Sequence, residues 1–217
     1  MTSIRPEGQP EVLWGGNSLV SFDSGMPESM RRDLLDCLRY CEIRANEKHD
    51  RQEAWTRWIN AYQGGLFKHG FTLSGVLPHD ILTVNDAAEL RSAISTIIQA
   101  AGHEALSGLA SQALERMLGN AHAQSFFNDW FTAGRSESMQ VVPCGLQPAE
   151  VVDVMICGLK MQTQTTDGSW FARATSSMTI TIDGGAFRYS AQAYAPYREK
   201  IRQRLRDESL NYFNRLP

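Results

Sequence analysis

Several things are scarce in this sequence, and each scarcity closes off a class of protein. Four cysteines among 217 residues are too few for a framework of disulfide bridges. A compartment that keeps thiols reduced is the simpler setting for their synthesis. No run of eighteen apolar residues exists, so no ordinary transmembrane helix is expected. The opening MTSIRPEGQP has no apolar core behind a basic start and does not read as a secretory signal. The expected location is therefore the cytoplasm, or the outside by a route without a cleaved signal peptide. Charge of one sign is also lacking. With 21 basic and 24 acidic residues the net charge is −3, and no overall basic field recruits nucleic acid.

Catalytic signatures are absent as well. There is no Gly-x-Ser-x-Gly elbow, no dinucleotide or phosphate loop, and no His-Glu-x-x-His. His103-Glu104 begins like the last of these, but Ser107 stands where the second histidine belongs. The remaining histidines, 49, 69, 79 and 122, are far apart in sequence. Cys37 and Cys41 lie one helical turn apart and share a face. As metal ligands they need two more partners, and no pair stands at finger spacing. Cys144 sits in Pro-Cys-Gly, read as a tight loop with an exposable thiol, but no histidine is local to it. His79-Asp80 follows Pro78 in a Gly/Pro-containing stretch, where Asp80 could simply satisfy backbone N–H groups. No cofactor, no metal and no catalytic residue is expected from this inventory; an enzyme built on dispersed residues such as His79, Asp80 and Cys144 is the third-ranked reading.

What is present is a clear sequence of elements. Residues 1–10 carry Pro6, Gly8 and Pro10 and read as a tail; residues 11–217 read as a single domain. Glu11 to Phe22 reads as two short strands around Gly15-Gly16-Asn17. A helix follows from Pro27 to about Lys48. Asp50 with Glu53 resembles a capping box, and Trp55, Trp58, Ile59, Tyr62 and Leu66 recur at helical spacing behind it. Residues 71–84 read as a connector with at most one strand. Asp86 and Glu89 start another helix with the stripe Leu90, Ile94, Ile97, Ile98. After Gly102 comes a further stripe, Leu106, Leu109, Ala113, Leu114 and Met117. A third piece carries Phe126, Phe127, Trp130 and Phe131. The helical part thus spans about 27–134.

From Met139 the period changes to two, and a β-meander is expected over about 139–194. Its strands are Val151 to Thr165, Ser169 to Ile182 and Ala186 to Tyr194. Thr166-Asp167-Gly168 and Asp183-Gly184-Gly185 read as turns, since Asp-Gly pairs tolerate the backbone that hairpins need. Pro196 is placed at the start of a closing helix to about 215, with Tyr197, Ile201, Leu205 and Phe213 inward. Segregated helices and strands argue for an α+β fold, a helical block packed on one face of an antiparallel meander.

Two segments invite a function by contact. The first is the weakly charged, small-residue-rich stretch from Leu90 to Leu118, where such residues let helices approach closely. It is a core hairpin or a segment that enters a bilayer or an interface. The second is the long hairpin, whose tip at Asp167, Trp170, Phe171 and Arg173 places two aromatic rings at a turn. Thr- and Ser-rich strands of this length also suit the wall of a membrane barrel. The closing helix is locally basic through Arg198, Lys200, Arg202, Arg204 and Arg206. That strip either faces solvent or docks the acidic helical block, a partner or an anionic surface. The binding candidates are therefore Trp170, Phe171, Asp167, Arg173, Arg198 and Arg202. The leading expectation is a non-catalytic protein that binds a protein partner or self-associates into an oligomer. A membrane-perturbing, toxin-like protein is the alternative, and nucleic acid is not an expected partner.

Overall fold

The computed structural model describes residues 10–121, 136–163, 177–206 and 214–215. The chain is an α+β protein with one mixed sheet. Its elements are β1 (Glu11–Gly15), β2 (Ser18–Phe22), α1 (Glu28–Asn46), α2 (Trp55–Lys68), β3 (Thr72–Val84), α3 (Ala87–Ala100), α4 (Glu104–Gly119), β4 (Ser136–Gln147), β5 (Val151–Thr163), β6 (Met178–Ser190), α5 (Ala191–Arg206) and β7 (Asn214–Arg215). The strands lie side by side in the order β3-β6-β5-β4-β2-β1-β7. All pairs are antiparallel except β2 with β4. That one parallel pair follows from the long excursion between them, since parallel neighbours need a crossover. No helix among the described residues is long and apolar enough to cross a membrane.

The helices divide between both faces of the sheet, where the segregated pattern suggested one. Leu19, Val141, Met155, Cys157, Leu159 and Ile182 pack under α3 and α4 through Ile94, Leu106, Ala110 and Leu114. Val20, Val142, Val154, Ile156, Phe187 and Tyr189 pack under α1, α2 and α5 through Leu34, Leu38, Trp58, Ile59, Tyr62 and Ile201. The central strands are apolar on both sides because both sides are covered. The Trp55, Trp58 and Tyr62 run is a stacked ladder on α2, with ring centroids 5.6 and 5.3 Å apart. Arg51 lies over the Trp58 ring at 4.1 Å and donates to the Ser138 hydroxyl at 2.7 Å, fixing the α1–α2 turn to β4.

Four local expectations need correction. Residues 72–84 form a full strand rather than a connector. Pro78 is tolerated there because β3 is an edge of the sheet and its register shifts between Leu77 and Asp80. Asp183-Gly184-Gly185 is not a turn but the middle of β6, facing Cys157 and Ile156 of β5. Neither glycine adopts a positive φ. Their use is the missing side chain, because a Cβ on Gly184 would lie 1.8 Å from the Ile156 carbonyl oxygen. The closing helix begins at Ala191, with the Ser190 hydroxyl accepting from the Ala193 N–H, so Pro196 sits inside it. It does not extend to 215, since Asn214 and Arg215 pair with Trp14 and Leu13 as a strand. Finally, β4 starts at Ser136 and passes through Pro143-Cys144-Gly145 without a loop.

The capping signals fare differently. Asp86 accepts from the Glu89 N–H at 2.8 Å and starts α3 as expected. Glu89 returns the bond to the Asn85 N–H. Asp50 accepts from the N–H groups of Gln52 and Glu53 at 2.8 Å each, but this caps a turn, and α2 begins only at Trp55.

Candidate functional site

The region with the most unusual construction is the half of the sheet furthest from α5, where β3, β6 and β5 run on past α2. Cross-strand rows alternate strictly there. The row Leu82–Ile180–Met161 and the flanking Val84, Met178, Leu159 and Ile182 face α3 and α4. The next row, Ile81–Thr181–Lys160, and its neighbours Thr83, Thr179 and Gln162 face the other way and are half-exposed or exposed. One face of this three-stranded unit is therefore largely apolar, with Asp80 in register beside Ile182 at its edge, and the other is rich in threonine, lysine and glutamine. Each strand is 13 residues long. At ~3.3 Å per residue that is about 43 Å, more than twice the usual strand.

The apolar face is covered by the α3–α4 hairpin. Its inward residues, Leu90, Ile94, Ile98, Leu106, Ala110, Ala113, Leu114 and Met117, are all buried. Polar groups of the hairpin pair largely with one another. The Ser95 and Ser107 hydroxyls are 2.6 Å apart, Ser107 also donates to the Ser95 carbonyl, and Arg91 meets Glu115 at 3.6 Å. A polar tether leaves it, from Arg116 to the Pro10 carbonyl at 2.9 Å. Gly102, at φ 84°, makes the bend between the two helices. The hairpin is thus the core layer expected of a weakly charged helical pair, and it meets the sheet through apolar side chains.

The proposed tip of the long hairpin, Asp167, Trp170, Phe171 and Arg173, lies outside the described residues, as do Phe126, Phe127, Trp130 and Phe131. Arg198 and Arg202 are placed, and they face inward across the helix layer. Asp33 of α1 accepts from Arg198 Nε and Nη2, at 2.8 and 2.6 Å, and from Arg202 Nη2 at 3.1 Å. The Tyr189 hydroxyl donates to the same carboxylate at 2.8 Å. Arg202 also reaches Asp36 at 3.2 Å, and Arg204 reaches Glu47 at 3.3 Å. The basic strip docks α1, where the charge pattern pointed to the acidic block 71–134. Its partners were invisible in the charge counts because Asp33 and Asp36 sit among the arginines of α1. Burial pushes the Asp36 carboxyl up from its ordinary range, and Arg202 acts in the opposite direction.

The dispersed candidates for chemistry do not come together. Asp80 accepts from the Ile81 N–H at 2.8 Å, so it does satisfy a backbone group, but within strand β3 and not in a turn. His79 points to Asp183 instead, at 3.8 Å, and is largely exposed. Cys144 is buried at the centre of β4 and its thiol is pushed far up by burial, which corrects the exposed-loop reading. The structure does assemble one cluster that spacing alone could not reveal. His69, just past α2, lies beside Cys37 and Cys41 of α1, and one donor atom from each lies within 4.8 Å of the others. Both thiols are sealed in the core, at 0% and 1% exposure.

No protein-family model matches the chain, and a search of curated proteins gives no match. Among solved structures, the fold is similar to one titled delta-endotoxin. The identity is 11% and the TM-score 0.49, over 81% of this chain and 82% of that one.

Proposed function

We propose that the chain is a non-catalytic, membrane-perturbing protein whose α3–α4 hairpin covers a sheet surface meant for lipid. One observation carries this reading: at the distal ends of β3, β5 and β6, over residues 80–84, 159–163 and 178–182, a largely apolar face alternates with a polar one. A strand crossing a bilayer runs about 9–11 residues with apolar side chains toward lipid and polar ones toward water; each of these strands has the length, at 13 residues, and its distal stretch has the alternation. In the folded subunit the apolar side is satisfied by the hairpin. In contact with a bilayer, acyl chains replace the hairpin, and the threonine, lysine and glutamine row faces water. The sheet would close with copies of itself, because an open edge cannot stand in hydrocarbon.

Two of the chain's own cysteines test it. Cys157 lies on the α3–α4 face and Cys144 on the α1–α2 face, both buried. The expected result is dye leakage from liposomes, with Cys157 becoming reactive to a membrane-permeant maleimide while Cys144 stays protected, as read by peptide mass mapping. No leakage across neutral and anionic lipids, pH values and protease treatment overturns the proposal. Leakage with Cys157 still protected overturns the hairpin as the moving part.

A second reading is contact with protein, by self-association, through the edge strand. Among the described residues β3 pairs on one side only, with β6. It exposes Leu73, Val76 at 70% and Ile81 at 61%. An edge of this length with apolar side chains invites addition of another strand. Light scattering tests it: a concentration-dependent dimer supports it, and a strict monomer at high concentration removes it.

A further inference from the structure

We infer that Cys37, Cys41 and His69 form a binding site for a thiophilic d10 metal ion, Zn(II) or Cu(I). This inference does not rest on the membrane reading. The spacing of the donors is the first ground. The two sulfurs lie 4.0 Å apart. Two thiolates bound at ~2.3 Å are separated by about 3.8 Å at a tetrahedral angle and about 4.0 Å at a trigonal one. The helix already sets this distance, because residues i and i+4 stand one above the other. The same spacing is too long for a disulfide, whose sulfurs sit at ~2.0 Å.

The support around the imidazole is the second ground. His69 Nδ1–H donates to the Gly65 carbonyl at 2.6 Å. That bond leaves the lone pair on Nε2 and orients the ring, as the outer partner of a metal-ligating histidine does. The Tyr40 and Tyr197 rings meet it edge-on, with centroids 5.1 and 5.4 Å away, and hold it between α1 and α5. Gly65 matters here too. A Cβ at that position would lie 2.9 Å from Cys41 Sγ, so only glycine lets α2 come close enough to deliver His69 to the pair. All three donors lie within 4.8 Å of one another, and binding would draw the ring nitrogen to ~2.0–2.1 Å from a zinc ion.

Two sulfurs and an imidazole are a soft donor set that selects Zn(II) or Cu(I) over Mg(II) or Ca(II). Three donors satisfy Cu(I), while Zn(II) would take a water on the half-exposed His69 side. Both thiols release their protons to solvent as the ion binds. The ion would fasten α1 to the end of α2, beneath α5.

The test uses the reduced full chain. Zn(II) and Co(II) are titrated directly, and Cu(I) in competition with a chromogenic chelator. The expected result is one ion per chain, a raised Tm, and a thiolate-to-cobalt charge-transfer band in the near ultraviolet. His69→Gln, at a half-exposed position outside the helix core, should keep the fold by near-ultraviolet circular dichroism. It should lose at least the ~10–100-fold in affinity that removing only an outer partner of a ligand costs. Cys37→Ala/Cys41→Ala should abolish the cobalt band. Binding of the successful ion shows which of the two the site takes. Failure of the wild-type chain to bind any of the three, or equal binding by the wild type and the histidine and double-cysteine variants, overturns the inference.

Discussion

Arg198 of α5 grips Asp33 of α1 with two nitrogens, 2.8 and 2.6 Å from the carboxylate. Asp33 is 2% exposed, whereas Arg198 keeps about a third of its side chain in water. Removing one partner of such a pair is worse than never having had it, since the other charge is left in the protein without its counter-charge, fully buried for Asp33 and two-thirds buried for Arg198. Asp33→Ala also leaves the Tyr189 hydroxyl without its acceptor, while Arg202 keeps Asp36. A loss of about 3 kcal/mol is expected, the lower end of what breaking a buried pair costs. Arg198→Ala should cost less than Arg198→Ala/Arg202→Ala, because Arg202 and Tyr189 still hold Asp33. Urea unfolding of the three variants measures both.

Glycines separate into those that need to be glycine and those that do not. Gly184→Ala places a methyl group against the Ile156 carbonyl oxygen, so backbone must move in the middle of the sheet. A loss of about 3 kcal/mol or failure to accumulate as folded protein is expected. Gly108 of α4 has open space around its Cβ direction and an exposed position. Gly108→Ala should stabilise by about 0.5–1 kcal/mol, the helix preference for alanine. Denaturant midpoints of the pair test this contrast.

Cys144 and Cys157 should resist alkylation in the native protein. Burial raises both thiols, Cys157 to about 12. Below that value the folded chain holds almost no thiolate at either position, and raising the pH from 7 to 9 should add little reactivity. In denaturant both should react as ordinary thiols, with the sharp pH dependence of a group titrating at ~8.5. Alkylation rates with and without urea, resolved by peptide, measure the difference; equal rates would show that these strands open readily.

Charge on the β3 edge should leave the subunit intact. Val76 and Ile81 are exposed, so Val76→Lys and Ile81→Lys should change stability by no more than about 0.5 kcal/mol. If the chain dimerises through this edge, the same changes should weaken the dimer, because an edge lysine opposes strand addition. Sedimentation of the variants against the parent chain reads it directly.

Periodicity was enough to place the amphipathic elements. The stripes of α2, α3 and α4, the β1–β2 hairpin around Gly16 and the Asp86 cap were legible because each depends on residues a few positions apart. The alternation at the distal end of β5 was legible for the same reason. The tertiary structure alone decided the rest. Sequence cannot say that β4 crosses over to lie parallel to β2, so it could not put helices on both faces. It read Asp183-Gly184-Gly185 as a turn because a bend and a close approach of two backbones both call for the residue without a side chain. It could not join His69 to Cys37 and Cys41, or Asp33 to Arg198, because these meetings span 28 or more positions and exist only once three helices share one face of the sheet. Local spacing encodes which surfaces must be buried; which surfaces bury each other is fixed by the global packing.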